Sequence, residues 1–211
     1  MQIQSTADAF AAIMADGSAV VWPKKINMAV PYPLKGVRQI QSTAYAFAAI
    51  LGDGSVVTWG DAEDGGDSSA VRDQLHSVRQ IQATVYGAFA AILEDGSVVT
   101  WGEAEYGGDS SAVRDQLKGV TKIKGTLGAF AAILEDGSVV SWGHKLYGSD
   151  SAAVQDQLKG AQDIQVTGAG FAAIREDGSV LCWGNRLRSH AHDLFDSHCM
   201  HLRAAMTRHA Q

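Results

Sequence analysis

The chain has 211 residues, 46% of them hydrophobic, and a formal net charge of −6 at neutral pH. That length and apolar content suffice for one domain with a hydrophobic core. The acidic balance argues against unaided binding to nucleic acid or to an anionic membrane, because both require a basic face. The sequence shows no apolar run of membrane-spanning length and no secretory signal. We therefore expect a cytoplasmic protein without a membrane segment.

Five tryptophans mark an internal repeat. They are Trp22, Trp59, Trp101, Trp142 and Trp183, separated by 37, 42, 41 and 41 residues. A period of this length is typical of solenoids and propellers. We predict a repeat domain over 1–184, with units 1–37, 38–78, 79–120, 121–161 and 162–184, and a non-repeat tail over 185–211.

Each unit contains three short segments that predict β-strands. In the second unit, polar and apolar residues alternate over 39–41, which is typical of a strand with one buried face. A second apolar run begins at Phe47, and Asp53-Gly54 separates it from a third run that ends at Trp59. Asp-Gly between two apolar runs is a strong hairpin signal, because glycine adopts positive φ without steric cost. The pattern predicts three antiparallel strands per unit, with the tryptophans in the core.

The segments that join the units predict short helices, except in the first unit. Residues 65–75 read GGDSSAVRDQL, and the same pattern returns at 107–117. Asp-Ser-Ser is a typical capping cluster, and Val71 and Leu75 share one helical face. The first linker instead contains Pro31 and Pro33, which exclude a helix there. We interpret that unit as a degenerate repeat that acts as a cap, in preference to a functional insert.

The tail contains five of the seven histidines. Its candidate metal ligands are His190, His192, His198, Cys199 and His201. Their spacing matches no standard zinc finger. Apolar residues at steps of four, three and four from Phe195 predict an amphipathic helix. We favour such a helix, as a cap or a partner-binding element, over a metal site.

The predicted strands define the fold class. A sheet of three short strands is not stable alone in water, so the units must pack on one another. Hairpin-joined strands are antiparallel, whereas the rungs of a β-solenoid are usually parallel, and this favours a β-propeller. We predict an all-β fold of five three-stranded antiparallel blades, linked by short helices and followed by a C-terminal helix. The alanine pairs after each phenylalanine would relieve crowding near the propeller axis. The blades either close into a ring or form an open arc whose free edges would allow self-association.

One unit resembles a known repeat. Residues 88–102, AFAAILEDGSVVTWG, are followed by Tyr-Gly-Gly at 106–108, and this unit resembles the repeat of the regulator of chromosome condensation (RCC). The shortened blade is similar to that of the propeller-type β-lactamase inhibitory protein, and like repeats occur in HECT-type ubiquitin ligases. The resemblance covers about 1–184 and implies a propeller that binds proteins, sometimes a small GTPase.

Two features depart from the RCC pattern. Alanine or glycine stands where the family has histidine before the second strand, and Gly-Gly-Asp-Ser replaces Gly-Gln-Leu-Gly. We therefore transfer no nucleotide-exchange or chromatin-binding residue from that family.

The chain shows no phosphate-binding loop, nucleophile motif or ubiquitin-transfer context, so we predict a non-enzyme without a cofactor. Binding residues concentrate on loops that a rigid scaffold displays. Strand directions place the turn after the first strand and the segment after Trp-Gly on one face, which varies among the repeats. The candidate binding residues there are Tyr45, Tyr86, Asp61, Glu63, Glu103, Glu105, Tyr106, Lys145 and Tyr147.

These features predict a non-catalytic scaffold or adaptor that binds a protein partner, with tyrosines as anchors. Two alternatives follow from the resemblance. One is a substrate-recruiting fragment of a HECT-type E3 ubiquitin ligase, and the other is a guanine-nucleotide exchange factor for a small GTPase. A hydrolase that uses the acidic loops has no motif in its favour.

Overall fold

The computed structural model describes residues 2–23 and 33–185. Most of the first linker and the whole tail from 186 lie outside these residues, and so do the predicted amphipathic helix and the candidate metal ligands. Within the described residues, no helix is long and apolar enough to span a membrane.

Fifteen strands are present in the described part of the chain. They are β1 (Gln2–Ser5), β2 (Phe10–Ile13), β3 (Ala19–Trp22), β4 (Val37–Ser42), β5 (Ala46–Leu51), β6 (Val56–Gly60), β7 (Val78–Ala83), β8 (Ala88–Leu93), β9 (Val98–Gly102), β10 (Val120–Gly125), β11 (Ala129–Leu134), β12 (Val139–Gly143), β13 (Ala161–Val166), β14 (Gly170–Arg175) and β15 (Val180–Gly184).

The strands form five separate three-stranded sheets, each in the order first, second, third. We number these sheets as blades 1 to 5, so that β1–β3 form blade 1 and β13–β15 form blade 5. All pairings within them are antiparallel; in blade 2, for example, Phe47 lies opposite Trp59. Those two rings stack with centroids 5.3 Å apart, and every other blade repeats the stacked pair. The prediction of three antiparallel strands per unit is confirmed.

The Asp-Gly turns join blades as well as strands. Gly54 has φ +80°, and Asp53 Oδ1 accepts hydrogen bonds from the Ser55 amide (2.9 Å) and hydroxyl (2.6 Å). The Gly54 carbonyl also accepts from the amide of Val78, which begins blade 3, at 2.9 Å. The same bond links each of the other three pairs of neighbouring blades. This double role gives a physical reason why the turn hardly varies among the repeats.

The same turns predict a loss of stability in acid. The hydrogen bonds from the following serine lower the pKa of Asp53, Asp95 and Asp136, and those from Ser179, with Arg175, lower that of Asp177 from 3.8 to about 2. A carboxyl whose pKa is lower in the folded state stabilises the fold above its unfolded pKa, and that stabilisation is lost as the pH falls through the folded value. We expect the melting temperature to fall as the pH drops below 3.8, with the contribution of Asp177 lost down to about pH 2. The fall should be shallower with Asn at 53, 95 and 136, as measured by circular dichroism melts.

Asp64 supplies the matched control for the acid prediction. Burial and the charges of neighbouring carboxylates raise its pKa, so its ionisation opposes folding at neutral pH. Asp64→Asn should raise the melting temperature at neutral pH and leave the decline below pH 3.8 unchanged, because Asp64 is already protonated in that range. An equally steep decline in the triple variant would contradict the role given to the turns.

The hydrophobic core lies between blades. Phe89 and Trp101 of blade 3 pack against Ala46, Ala48 and Ile50 of blade 2, and all five are buried. The aromatic face of blades 2, 4 and 5 meets the alanine-rich face of the preceding blade in the same way. The first alanine of each pair, such as Ala48, therefore makes room for the next blade, whereas the second, such as Ala49, lies on the aromatic face of its own blade. We predicted that the pairs relieve crowding near the propeller axis; the structure instead places Ala48 against the Phe89 and Trp101 rings of the following blade.

Short helices link the blades, as predicted. The segments after blades 2, 3 and 4 contain one π-helix, Ala62–Gly66, and five 3₁₀-helices, Ser69–Gln74, Ala104–Tyr106, Ser111–Gln116, Lys145–Tyr147 and Gln155–Gln157. In the first of these linkers, Leu75 is buried and Val71 partly buried against the core. Of the predicted Asp-Ser-Ser cap, only the aspartate bonds the start of the helix. Asp67 Oδ1 accepts from the Ser69 amide at 2.8 Å, whereas the Ser68 hydroxyl bonds Thr58 of the third strand at 3.0 Å.

Blade 1 shows that the described blades form an open arc. Trp22 is 42% exposed, whereas the other four tryptophans are buried. Our prediction that all five lie in the core is therefore wrong for Trp22. Phe10 is also exposed, although Phe47 at the same position of blade 2 is fully buried. The difference arises because none of the described blades covers the aromatic face of blade 1.

Candidate binding face

The predicted loops meet at one end of the blades. We call this end the loop face: it comprises the turns at 43–45, 84–87 and 126–128 and the segments at 61–66, 103–106 and 144–147. In blade 2 the Asp61 amide donates a hydrogen bond of 2.9 Å to the Tyr45 carbonyl. In blade 3 the Glu103 amide donates a hydrogen bond of the same length to the Gly87 carbonyl. A corresponding bond of 2.9 Å joins the two segments of blade 4. Each blade therefore presents its turn and its following segment as one unit.

Buried threonines hold the second segment in place. Thr43, Thr84 and Thr126 are each at most 4% exposed. Their hydroxyls donate to the carbonyls of Asp64 (3.1 Å), Tyr106 (3.3 Å) and Tyr147 (2.8 Å) respectively. Sequence reasoning missed these threonines, although threonine stands at the same point of every unit. Because the bonds reach the candidate residues through their backbone, they fix where the tyrosine side chains begin.

Neighbouring blades are also tied together at the loop face. The Ala44 amide donates to the Val85 carbonyl at 2.8 Å, and the Tyr86 amide donates to the Leu127 carbonyl at 2.9 Å. With the Asp-Gly bonds at the opposite end, each blade is anchored at both ends. The loops of blades 2 to 4 are therefore displayed on a continuous hydrogen-bonded frame.

Three of the predicted tyrosines lie together. Tyr86 is 5.1 Å, centroid to centroid, from both Tyr106 and Tyr147, and Tyr106 and Tyr147 are 6.0 Å apart. His144, which sequence reasoning did not single out, lies 5.6 Å from Tyr106 and 5.3 Å from Tyr147. We call these four side chains the aromatic cluster. Tyr86 is its most exposed member, and the other three are partly buried.

Gly128 forms the floor of the aromatic cluster. A Cβ atom at this position would lie 2.7 Å from the Tyr106 Cδ1 atom and 2.7 Å from the Tyr147 Cδ2 atom. Any side chain here would therefore push the two rings apart. The sequence offered only a weak signal for this role, since blades 2 and 3 carry tyrosine in the corresponding turn.

His144 connects the aromatic cluster to an acidic side chain. Its Nδ1 atom accepts from the Leu146 amide at 3.0 Å, so the neutral ring carries its proton on Nε2. That nitrogen lies 3.2 Å from Glu105 Oε1 and donates to it. A hydrogen bond with Tyr86, together with burial and the nearby acidic groups, raises the pKa of Tyr147.

Four carboxylates extend the loop face toward blade 2. Burial and the charges of Asp61, Glu103 and Glu63 raise the pKa of Asp64, which shows that these groups share a negative region. Asp61 itself accepts from the Glu63 amide at 3.0 Å and so shapes its loop. The negative region adjoins the aromatic cluster, since Glu103 and Tyr106 belong to the same segment.

The remaining predicted residues lie at the borders of the loop face. Tyr45 is 44% exposed on blade 2, and Lys145 is exposed on blade 4. Neither is a member of the aromatic cluster. Within 2–23 and 33–185, no group of three or more His, Cys, Asp or Glu side chains is arranged to hold a metal ion.

Solved structures with this architecture are β-propellers. The chain is similar to the CRINKLY WD40 ectodomain of the Arabidopsis thaliana receptor kinase ACR4, with 17% identity, a TM-score of 0.58, and coverage of 87% of this chain and 63% of that one. It is similar to human WBSCR16, with 16% identity, a TM-score of 0.57, and coverage of 89% of this chain and 62% of that one. It is also similar to Prp20p of Saccharomyces cerevisiae, with 15% identity, a TM-score of 0.57, and coverage of 87% of this chain and 57% of that one.

These likenesses establish a β-propeller fold, and at such low identity they establish the fold alone. The chain spans between half and two thirds of the length of the propeller chains it matches. No family model matches the sequence, and no curated protein matches it either.

Proposed function

We propose that the chain is a non-catalytic protein-interaction module of RCC-type repeats that binds a protein partner through its loop face. The observation that carries this proposal is the aromatic cluster, in which two blades bring three tyrosines into mutual contact and place His144 against two of them, beside a group of carboxylates. Tyrosines on a rigid frame lose little conformational entropy on binding and are enriched at interface hot spots.

The charge of the face supports a partner with a basic surface. Glu105 and the carboxylates around Asp64 outnumber Lys145, the one lysine of the loop face. Complementary charge speeds the encounter of two proteins and selects among partners. The fold is consistent with such a role: one similar propeller, Prp20p, has binding properties to Gsp1p and histones. The ubiquitin-ligase and exchange-factor alternatives rest on the repeat resemblance, and no contact among the described residues favours either one.

Removing the exposed tyrosine should weaken the proposed interaction. We expect Tyr86→Ala to reduce the amount of captured partner about tenfold or more, since truncating an aromatic anchor typically costs over 1.4 kcal/mol of binding free energy. Glu105→Lys should reduce capture as well, because it reverses a charge of the loop face. The measurement is affinity capture with the immobilised intact chain, quantified by mass spectrometry for each protein that the unaltered chain retains.

Glu94→Lys is the matched control for the charge reversal. Glu94 is exposed beside the Asp-Gly turn of blade 3, at the opposite end from the loop face. Replacing it by lysine changes the net charge by the same amount as Glu105→Lys. We expect this variant to capture the same proteins as the unaltered chain. Identical capture by all three variants, with unchanged circular dichroism spectra, would show that the loop face is not the binding surface.

A further inference from the structure

Blade 1 carries an exposed apolar face. Antiparallel register places Ile3 opposite Ala12, Phe10 opposite Trp22, and Ala12 opposite Val20, so these side chains share one side of the sheet. Ile3, Phe10, Met14, Val20 and Trp22 are between 41% and 52% exposed. We call these five residues the blade-1 face. Contiguous exposed apolar side chains of this kind mark interaction sites on soluble proteins.

The chain itself shows what surface covers such a face. Of the equivalent side chains of blade 2, Ile40, Phe47 and Trp59 are buried, and Leu51 and Val57 are partly buried. They pack against the alanine-rich face of blade 1, which includes Ala11 and Ile13. The same contact is made between every later pair of blades. The described part of the chain therefore contains four versions of one interface, always aromatic face against alanine-rich face.

The complementary surface is present at the other end of the arc. On blade 5, Ala172 and Ile174 lie on the alanine-rich face and are only partly buried. Their equivalents in blade 4, Ala131 and Ile133, are 0% and 3% exposed because blade 5 covers them. We call Ala172, Ile174 and their neighbours on that side the blade-5 face. One chain thus carries both halves of its repeated interface, at opposite ends.

We propose that two copies of this chain associate head to tail, with the blade-5 face of one copy covering the blade-1 face of the next. The contact continues the interface that already joins blades 1 to 5, and burial of apolar surface drives it. It is heterologous, because different surfaces of the two copies meet, so each complex keeps one free face at either end. Larger assemblies follow at higher concentration. The proposal is independent of the loop face, which lies at a different part of each blade.

The first test is the mass of the intact chain as a function of concentration. We expect sedimentation velocity to show monomer at low micromolar concentration and dimer and larger species at high micromolar concentration. Trp22→Glu and Ala172→Arg should each raise the concentration needed for assembly at least about tenfold, since each places a charge in an apolar contact. A chain that stays monomeric throughout would overturn the proposal, and so would an Ala172→Arg variant that assembles like the unaltered chain.

Mixing the two variants distinguishes a head-to-tail contact from a symmetric one. The Trp22→Glu copy keeps an intact blade-5 face, and the Ala172→Arg copy keeps an intact blade-1 face. An equimolar mixture should therefore form a dimer that grows no further, although neither variant assembles alone. If the contact joined two blade-1 faces, the Ala172→Arg variant would dimerise alone and the mixture would add nothing. That result would overturn the proposal.

Two controls keep the test interpretable. Val85→Glu changes a side chain that is 44% exposed on the loop face, and it should assemble like the unaltered chain. Loss of assembly in this variant as well would mean that added charge alone disperses the chains, and would overturn the proposal. Circular dichroism melts show whether each variant is folded. Phe10→Glu and Ile174→Lys alter the same two faces and replace any variant that fails to fold.

Discussion

Replacing Phe89 by alanine is expected to lower the free energy of unfolding by about 3–5 kcal/mol. The Phe89 ring is fully buried, stacks on Trp101 with centroids 5.2 Å apart, and packs against Ala46 and Ala48 of the preceding blade. Because those neighbours are short, they cannot move to fill the space that the ring leaves. The cost therefore includes a cavity as well as lost apolar burial. Urea denaturation of both proteins under dilute conditions measures the difference.

Phe10→Ala is the matched control, since Phe10 occupies the same position of blade 1 and also stacks on its tryptophan. Phe10 is 47% exposed, so we expect a loss below about 1.5 kcal/mol. Dilute conditions matter here, because the proposed self-association would bury this residue. Equal losses for Phe10→Ala and Phe89→Ala would contradict the conclusion that the core lies between blades.

The blade was predictable because three independent signals in the sequence agree on it. Alternation over 39–41, the apolar run from Phe47 and the Asp53-Gly54 pair each specify local structure. Each signal also recurs at a nearly constant period, which makes chance agreement improbable. The open form of the arc could not be read in this way, because periodicity shows which residues recur and not what covers them.

Trp22 illustrates the limit of reasoning from equivalent positions. Its place in the repeat matches that of Trp59, yet one ring is exposed and the other is buried. A core residue needs a neighbour as well as a suitable side chain, and the neighbour of each aromatic face is the blade before it. The role of the alanine pairs was predicted incorrectly for the same reason. The small size of Ala48 was recognised, but the Phe89 ring that requires it lies about 40 residues later in the chain.

The candidate site was predictable in part. Strand direction indicated the face, and the presence of Tyr86, Tyr106 and Tyr147 on it followed from the repeat. Their mutual contact depends on the angle between blades 3 and 4, which no local signal specifies. His144 was overlooked because the corresponding position is acidic in blades 2 and 3. His144 and Gly128 both differ from the residues at the same positions of blades 2 and 3, and this difference is the sequence signal that marks them.

Gly107 contacts the next blade and adjoins Tyr106 of the aromatic cluster. We therefore expect Gly107→Ala to lower both the free energy of unfolding and the capture of a partner. Gly107 has φ +109°, and a Cβ atom there would lie 2.7 Å from the Phe130 ring of the next blade. Its carbonyl also accepts from the Trp142 indole at 3.1 Å. Backbone strain and overpacking each cost about 1–3 kcal/mol, so we expect a total loss of about 3 kcal/mol or more in the free energy of unfolding. Urea denaturation measures that loss. The adjacent Tyr106 should move with its backbone, and partner capture at a temperature where the variant remains folded should fall.

Gly178→Ala separates the two causes of this loss. Gly178 has φ +75° and no atom within 4 Å of an added Cβ, so its substitution brings conformational strain without a clash. We expect a loss of about 1 kcal/mol and unchanged partner capture, because Gly178 belongs to the Asp-Gly turn of blade 5. If both substitutions cost the same, the contact between Gly107 and Phe130 does not limit how closely blades 3 and 4 approach. In that case the close approach would have to be set by the hydrogen bonds between blades, such as that from Val120 to Gly96.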